Sequence, residues 1–122
     1  MVDARPEATV SRREGERIDT ARRALFGLLA EEGHLLPGGV IERMMRCGKP
    51  NCRCNADPPQ LHGPYHQWAY SKGGRRYTRR LTDAQLERYR PDIERGRRFM
   101  ELLAEIDEAE LSRVEQAEGW GT

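Results

Sequence analysis

The nine residues from Arg46 to Cys54, RCGKPNCRC, hold every cysteine of the chain. The spacing is Cys47-x4-Cys52-x-Cys54, and His62 follows after seven further residues. These thiols sit in a polar stretch punctuated by Gly48, Pro50, Pro58, Pro59, Gly63 and Pro64, where no hydrophobic core is expected to bury them. Zinc takes four ligands in a tetrahedron, commonly thiolate and imidazole, and three thiolates with one imidazole fill the shell completely. The spacing therefore predicts one structural Zn2+ held by Cys47, Cys52, Cys54 and His62. His66 competes for the fourth place, and Asp57 is a more remote candidate. His34, just before Pro37, reads as a solvent-exposed residue. Arg46, Lys49 and Arg53 lie between the thiols and favour their deprotonated forms. Free or redox-active thiols are the competing explanation of the same cluster.

The remainder of the 122 residues argues for a small α+β domain with helical extensions. Only 37 % of residues are hydrophobic and 34 % are charged, so the core is thin and an ion or a partner chain would supplement it. No apolar run approaches the roughly 18 residues of a membrane span. The start of the chain lacks the apolar centre of a signal peptide, and the expected location is the cytoplasm, where thiols stay reduced.

Five segments follow in order. Residues 1–10 read as disordered. Residues 11–39 begin with a capping box, Ser11 and Glu14, and continue as a helix over 12–32 with Ile18, Ala21, Leu25, Leu28 and Leu29 on one stripe. Gly33 stops that helix, and Pro37-Gly38-Gly39 turns the chain. Residues 40–81 form the zinc-loop module, a small three-stranded antiparallel sheet. Its strands are expected at 40–47, 66–71 and 75–81, with a loop over 48–64 and a hairpin turn at Gly73-Gly74. Residues 82–117 form a long C-terminal helix. It opens with a second capping box, Thr82 and Gln85, and carries Leu86, Tyr89, Ile93, Met100 and Leu103, widened by Phe99, Leu102, Ile106 and Val114. Pro91 is expected to kink or split it. Residues 118–122 are a tail. The two helices either pair antiparallel or the C-terminal one builds a coiled-coil homodimer.

The net charge of +1 conceals a division. Residues 40–98 carry fourteen Lys/Arg against six Asp/Glu, whereas residues 99–122 carry one Arg against seven Asp/Glu. Asymmetry of this kind speaks to partners. In a strand, Arg75, Tyr77 and Arg79 share one face, and Arg76 and Arg80 share the other. Both faces therefore present arginine, with Lys72 at the turn. Arg43, Arg46, Lys49 and Arg53 add positive charge from the first strand and the loop. Arginine with interleaved aromatic rings suits phosphates and exposed bases, so these residues and Tyr77 are the expected nucleic-acid contacts, for DNA or RNA. Solvated arginines paired with helix glutamates are the plainer alternative, and Trp68 reads more simply as packing than as a stacking platform. A protein partner for the acidic helix is the competing functional expectation. Little apolar material is present to enclose a catalytic pocket, and no enzyme activity is expected.

The run RCGKPNCRC, then PPQLHGPYHQW, an Arg-rich hairpin and a long charged helix, resembles an uncharacterised family of small bacterial and mobile-element proteins with an RCGKPxCRC…HGPY signature. The resemblance spans about residues 36–110. It marks Cys47, Cys52, Cys54 and His62, leaves His66 outside, and implies metal binding without implying an activity. Pro91 departs from the continuous helix expected there.

Overall fold

The structure, a computed structural model, describes residues 12–120. The disordered segment expected over 1–10 and the Ser11 cap lie outside them. The fold is α+β. Helix α1 (Arg12–Ala30) precedes strand β1 (Gly39–Met45), a short 3-10 turn (Arg53–Asn55), strands β2 (His62–Lys72) and β3 (Arg75–Leu81), and the long helix α2 (Asp83–Glu118). The strands form one antiparallel sheet in the order β1-β2-β3. Two compact units divide the described chain, residues 33–97 in one and 12–32 with 98–120 in the other.

In the unit of residues 33–97, the sheet has two unlike faces. Residues paired across antiparallel strands share a face. Val40, Trp68 and Arg79 are aligned on one, as are Glu42, His66 and Leu81. The first stretch of α2 packs on this side. Tyr89 stacks on Trp68 with ring centroids 6.5 Å apart, and Ile93 is buried. Trp68 is half-buried and donates from Nε1 to the Pro37 carbonyl at 2.8 Å, so it serves packing. A cleft of about 240 Å³ remains between Val40, Glu42 and His66 and the α2 residues Arg90, Ile93, Glu94 and Arg97. The segment before β1 is laced onto α2: the Leu36 amide donates to the Asp92 carbonyl at 3.2 Å, and the His34 amide donates to Asp92 Oδ1 at 3.1 Å. Gly96 is needed for this approach, because a Cβ there would collide with the Leu36 backbone.

The strand limits differ from those read in the sequence. β1 ends at Met45, so Arg46 and Cys47 belong to the loop. β2 begins at His62, four residues before the expected start, and takes in Gly63-Pro64. Proline is excluded from a central strand where its missing N–H would break the ladder. Here β3 reaches only as far as His66, opposite Leu81, so Pro64 has no neighbour on that side. On the other side Arg43 pairs with Tyr65 and Met45 with His62, so Gly63 and Pro64 together oppose the single Met44. This is a β-bulge, and it accommodates the proline.

α2 opens with the expected reciprocal cap. The Gln85 amide donates to Thr82 Oγ1 at 3.1 Å, and the Thr82 amide donates to Gln85 Oε1 at 2.9 Å. The helix then runs unbroken for 36 residues, with Pro91 inside it. Pro91 deprives the Glu87 carbonyl of its usual donor, yet the turns on either side stay helical. The expected split is absent.

In the unit of residues 12–32 and 98–120, Ile18 and Ala21 of α1 and Leu102 and Ala109 of α2 are buried. Arg17 Nε donates to Glu105 Oε1 at 3.0 Å, which draws its pKa up. Leu29, Met100 and Val114, expected on the buried stripes, are instead 53 %, 58 % and 46 % exposed. Met100 and Val114 lie off the narrow buried face of α2, whereas Leu29 shares the side of Ile18 but stands in the last turn of α1.

Candidate metal centre and basic face

The loop between β1 and β2 folds on short-range bonds. The Cys52 amide donates to the Lys49 carbonyl at 3.2 Å and the Asn55 amide to the Cys52 carbonyl at 3.0 Å. The Gln60 amide returns to the Arg53 carbonyl at 3.1 Å and closes the far side. Asn55 Nδ2 donates to the Lys49 carbonyl at 2.8 Å, which braces the turn between the first two cysteines. Cys54 sits on the 3-10 turn and is fully buried, Cys52 and His62 are half-buried, and Cys47 is exposed.

These folds bring four donors together. Ligand atoms of Cys47, Cys52, Cys54 and His62 all lie within 4.8 Å of one another. Cys47 Sγ and Cys54 Sγ are 3.7 Å apart, and Cys52 Sγ lies 3.0 Å from His62 Nε2. A tetrahedron with metal–sulfur bonds of about 2.3 Å has sulfur–sulfur edges of about 3.8 Å. The cluster therefore has the size and donor chemistry to hold a metal ion. His62 reaches it from the first residue of β2, where Gly63 takes φ +129° against the Arg43 carbonyl and Met44. His66 stands outside the cluster, on the sheet face that packs against α2. Asp57 is also outside it.

The backbone favours thiolate at two of the sulfurs. The Cys54 amide donates to Cys52, and with hydrogen bonds from His62 and Cys47 it lowers the Cys52 thiol to about 6. The Lys49 amide acts in the same direction on Cys47, two residues upstream. Bonds to Cys52 and Cys54, together with burial, outweigh it and leave Cys47 raised. An amide offered two residues after a cysteine is a donor that water need not supply, so charge on sulfur is solvated by the turn itself.

The expected nucleic-acid contacts are spread over three places. Lys72, Arg75, Tyr77 and Arg79 belong to the sheet face that also carries Trp68. There Tyr70 and Tyr77 stack with centroids 5.5 Å apart, and Arg79 Nε donates to the Tyr70 hydroxyl at 3.3 Å. Arg43, Arg76 and Arg80 belong to the opposite, open face. Arg46, Lys49 and Arg53 are exposed on the loop between β1 and β2. Among the described residues none of Arg43, Arg75, Arg76, Arg79 and Arg80 makes an ion pair, so helix glutamates do not absorb their charge.

The open face holds residues absent from the sequence reading. Arg80 lies over the Tyr65 ring at 3.5 Å from its centroid, and Arg43 Nη1 donates to Gln67 Oε1 at 3.4 Å. Starting β2 at His66 leaves Tyr65 in a loop. Started at His62, the two-residue alternation puts Tyr65 and Gln67 on the face of Arg43 and Arg80. Asn55 has no comparable signal, since its role depends on the closed loop.

No helix of the described residues is long and apolar enough to cross a membrane. No curated protein and no solved structure matches the chain. One family does match, over residues 15–91, from early α1 through the cysteine loop and sheet to Pro91. It starts earlier and ends earlier than the expected resemblance, and it contains all four clustered donors. The chain belongs to the family described as a domain of unknown function, DUF6788.

Proposed function

We propose that the protein is a small zinc-stabilised nucleic-acid-binding module, an accessory or regulatory factor rather than an enzyme. One observation carries the nucleic-acid reading: the open sheet face presents Arg43, Arg76 and Arg80 without ion pairs, with Arg80 stacked on Tyr65. A guanidinium held flat on a ring keeps its N–H edge free for phosphate and its outer plane free for a base. Zinc is favoured by the donor set, three sulfurs and one imidazole within 4.8 Å of one another, with Cys47, Cys52, Cys54 and His62 as its ligands. Bound there, it would tie the loop to the start of β2, and four protein donors leave no place for a reacting water.

Contact with phosphates dominates in this reading, so binding falls steeply with salt and does not separate DNA from RNA. The test is fluorescence anisotropy on labelled single-stranded and duplex oligonucleotides at two salt concentrations. Changing Arg43, Arg76 and Arg80 together to Ala is expected to weaken binding at least tenfold and flatten the salt slope. Equal and negligible binding by wild type and variant would remove the proposal.

A second reading is a protein adaptor working through α2, with the metal purely structural. The acidic surface of residues 99–118 favours it. Retention of an acidic-helix partner by the arginine variant, without oligonucleotide binding by the wild type, would select it.

A further inference from the structure

The open face of the sheet carries more than a contact with phosphate needs. Of the residues in the three strands only Glu42 is acidic, and it lies on the other face, toward α2. Beside Arg43, Arg76 and Arg80, the open face presents Ile41, Tyr65 and Gln67. Ile41 pairs with Gln67 and Gln67 with Arg80, so these three stand in one row. Ile41 is 52 % exposed. Arg80 covers the Tyr65 ring, while Gln67 accepts from Arg43 through Oε1 and retains an Nε2 donor. An apolar side chain, a ring and an amide add little to phosphate binding. They suit the faces and edges of bases.

Bases reached by this face must be unpaired. In a duplex the base edges lie on the floor of a groove, and the major groove, about 12 Å wide and about 8.5 Å deep, admits a helix or a two-stranded ribbon. Where Ile41, Gln67 and Arg80 stand, the sheet is three strands across, about 10 Å between its outer backbones before side chains are added. The first stretch of α2 packs behind it. Only the tip of the β2–β3 hairpin, beyond Ala69 and Thr78, is two strands wide. A tip lodged in a groove would carry Arg76 inward but leave Ile41, Tyr65 and Gln67 outside.

We propose that the open face takes a single-stranded stretch of nucleic acid laid along β2. This rests on the nucleic-acid reading of the same face and narrows it to unpaired bases. Arg76 and Arg80 are four residues apart on β3, about 13 Å at about 3.3 Å per residue, so they meet separate points on one strand. The row between them, Gly39, Ala69 and Thr78, has small side chains and leaves a shallow floor. A base stacks on the outer plane of Arg80, Gln67 donates to a base edge, and Arg43 and Arg76 hold phosphates to either side.

The experiment is fluorescence anisotropy at one fixed salt concentration on three probes: a labelled single strand, the same strand annealed to its complement, and a strand of equal length made of abasic residues. The base-bearing single strand is expected to bind about tenfold tighter than either of the others. Arg80→Lys keeps the charge and removes the flat stacking plane. It is expected to weaken single-strand binding about fivefold and to leave abasic binding unchanged. Tyr65→Leu, which removes the ring beneath that plane, should act in the same direction, with circular dichroism confirming that both variants are folded. A duplex bound as tightly as the single strand would overturn the proposal while leaving phosphate binding in place. So would equal binding of the base-bearing and abasic strands, or an Arg80→Lys protein that matches wild type on the single strand. No binding to any probe would remove both this proposal and the broader reading.

Discussion

The two units reach order by different routes. The helical unit relies on periodic side chains: Ile18, Ala21, Leu102 and Ala109 recur at helical spacing and are buried. The unit of residues 33–97 buries little beyond Leu86, Ile93 and Cys54 among its larger side chains. Its order comes from particular bonds at particular atoms: the Asn55 brace, the four clustered donors, the Asp92 latch and the close approach at Gly96. A periodic interface tolerates substitution so long as volume is conserved. A unit held at a few points fails when one point is removed. The two should therefore separate under mutation.

The largest effect is expected at Cys54, the fully buried sulfur. Cys54→Ser should abolish stoichiometric metal, read by elemental analysis. Structural zinc in small domains is worth on the order of 10 kcal/mol, so the loop and sheet should lose protection from proteolysis while α1 stays helical. Leu102→Ala comes next. It should cost about 2–5 kcal/mol in denaturant unfolding and leave metal content per chain unchanged. Metal loss in that variant would mean that the two units are not separate in energy. Asn55→Ala should be the mildest, about 1 kcal/mol, and should speed metal release to a chelator. Unchanged release would show that the turn holds its shape without the brace at the Lys49 carbonyl.

The same division explains what was legible in the sequence. α1, β3 and the start of α2 were, because each is set by neighbours in the chain: the stripe through Ile18 and Ala21, the Gly73-Gly74 turn, and the Thr82–Gln85 cap. The four donors were legible because few other arrangements explain three cysteines so close together. What was not legible depends on pairing at a distance. Pro64 looked like the end of a loop because nothing local shows that β3 stops short of it. Tyr65 was missed for the same reason. Of the kink or split that Pro91 suggested, the split is absent, since α2 continues through it. Leu29, Met100 and Val114 fit a helical stripe by spacing, but spacing does not say how wide a face the neighbouring helix covers.

The bulge at Gly63 and Pro64 has an effect beyond accommodating a proline. An odd step of three residues separates His62 from Tyr65, and strict alternation would turn them to opposite sides. The doubled position restores the phase, since His62 is paired with Met45 and Tyr65 with Arg43, two steps apart on β1. His62 and the Tyr65 ring under Arg80 thus share one side of the sheet. A coloured ion such as cobalt, substituted at the cysteines, would act as a built-in reporter whose absorption shifts when anything settles on the neighbouring strands.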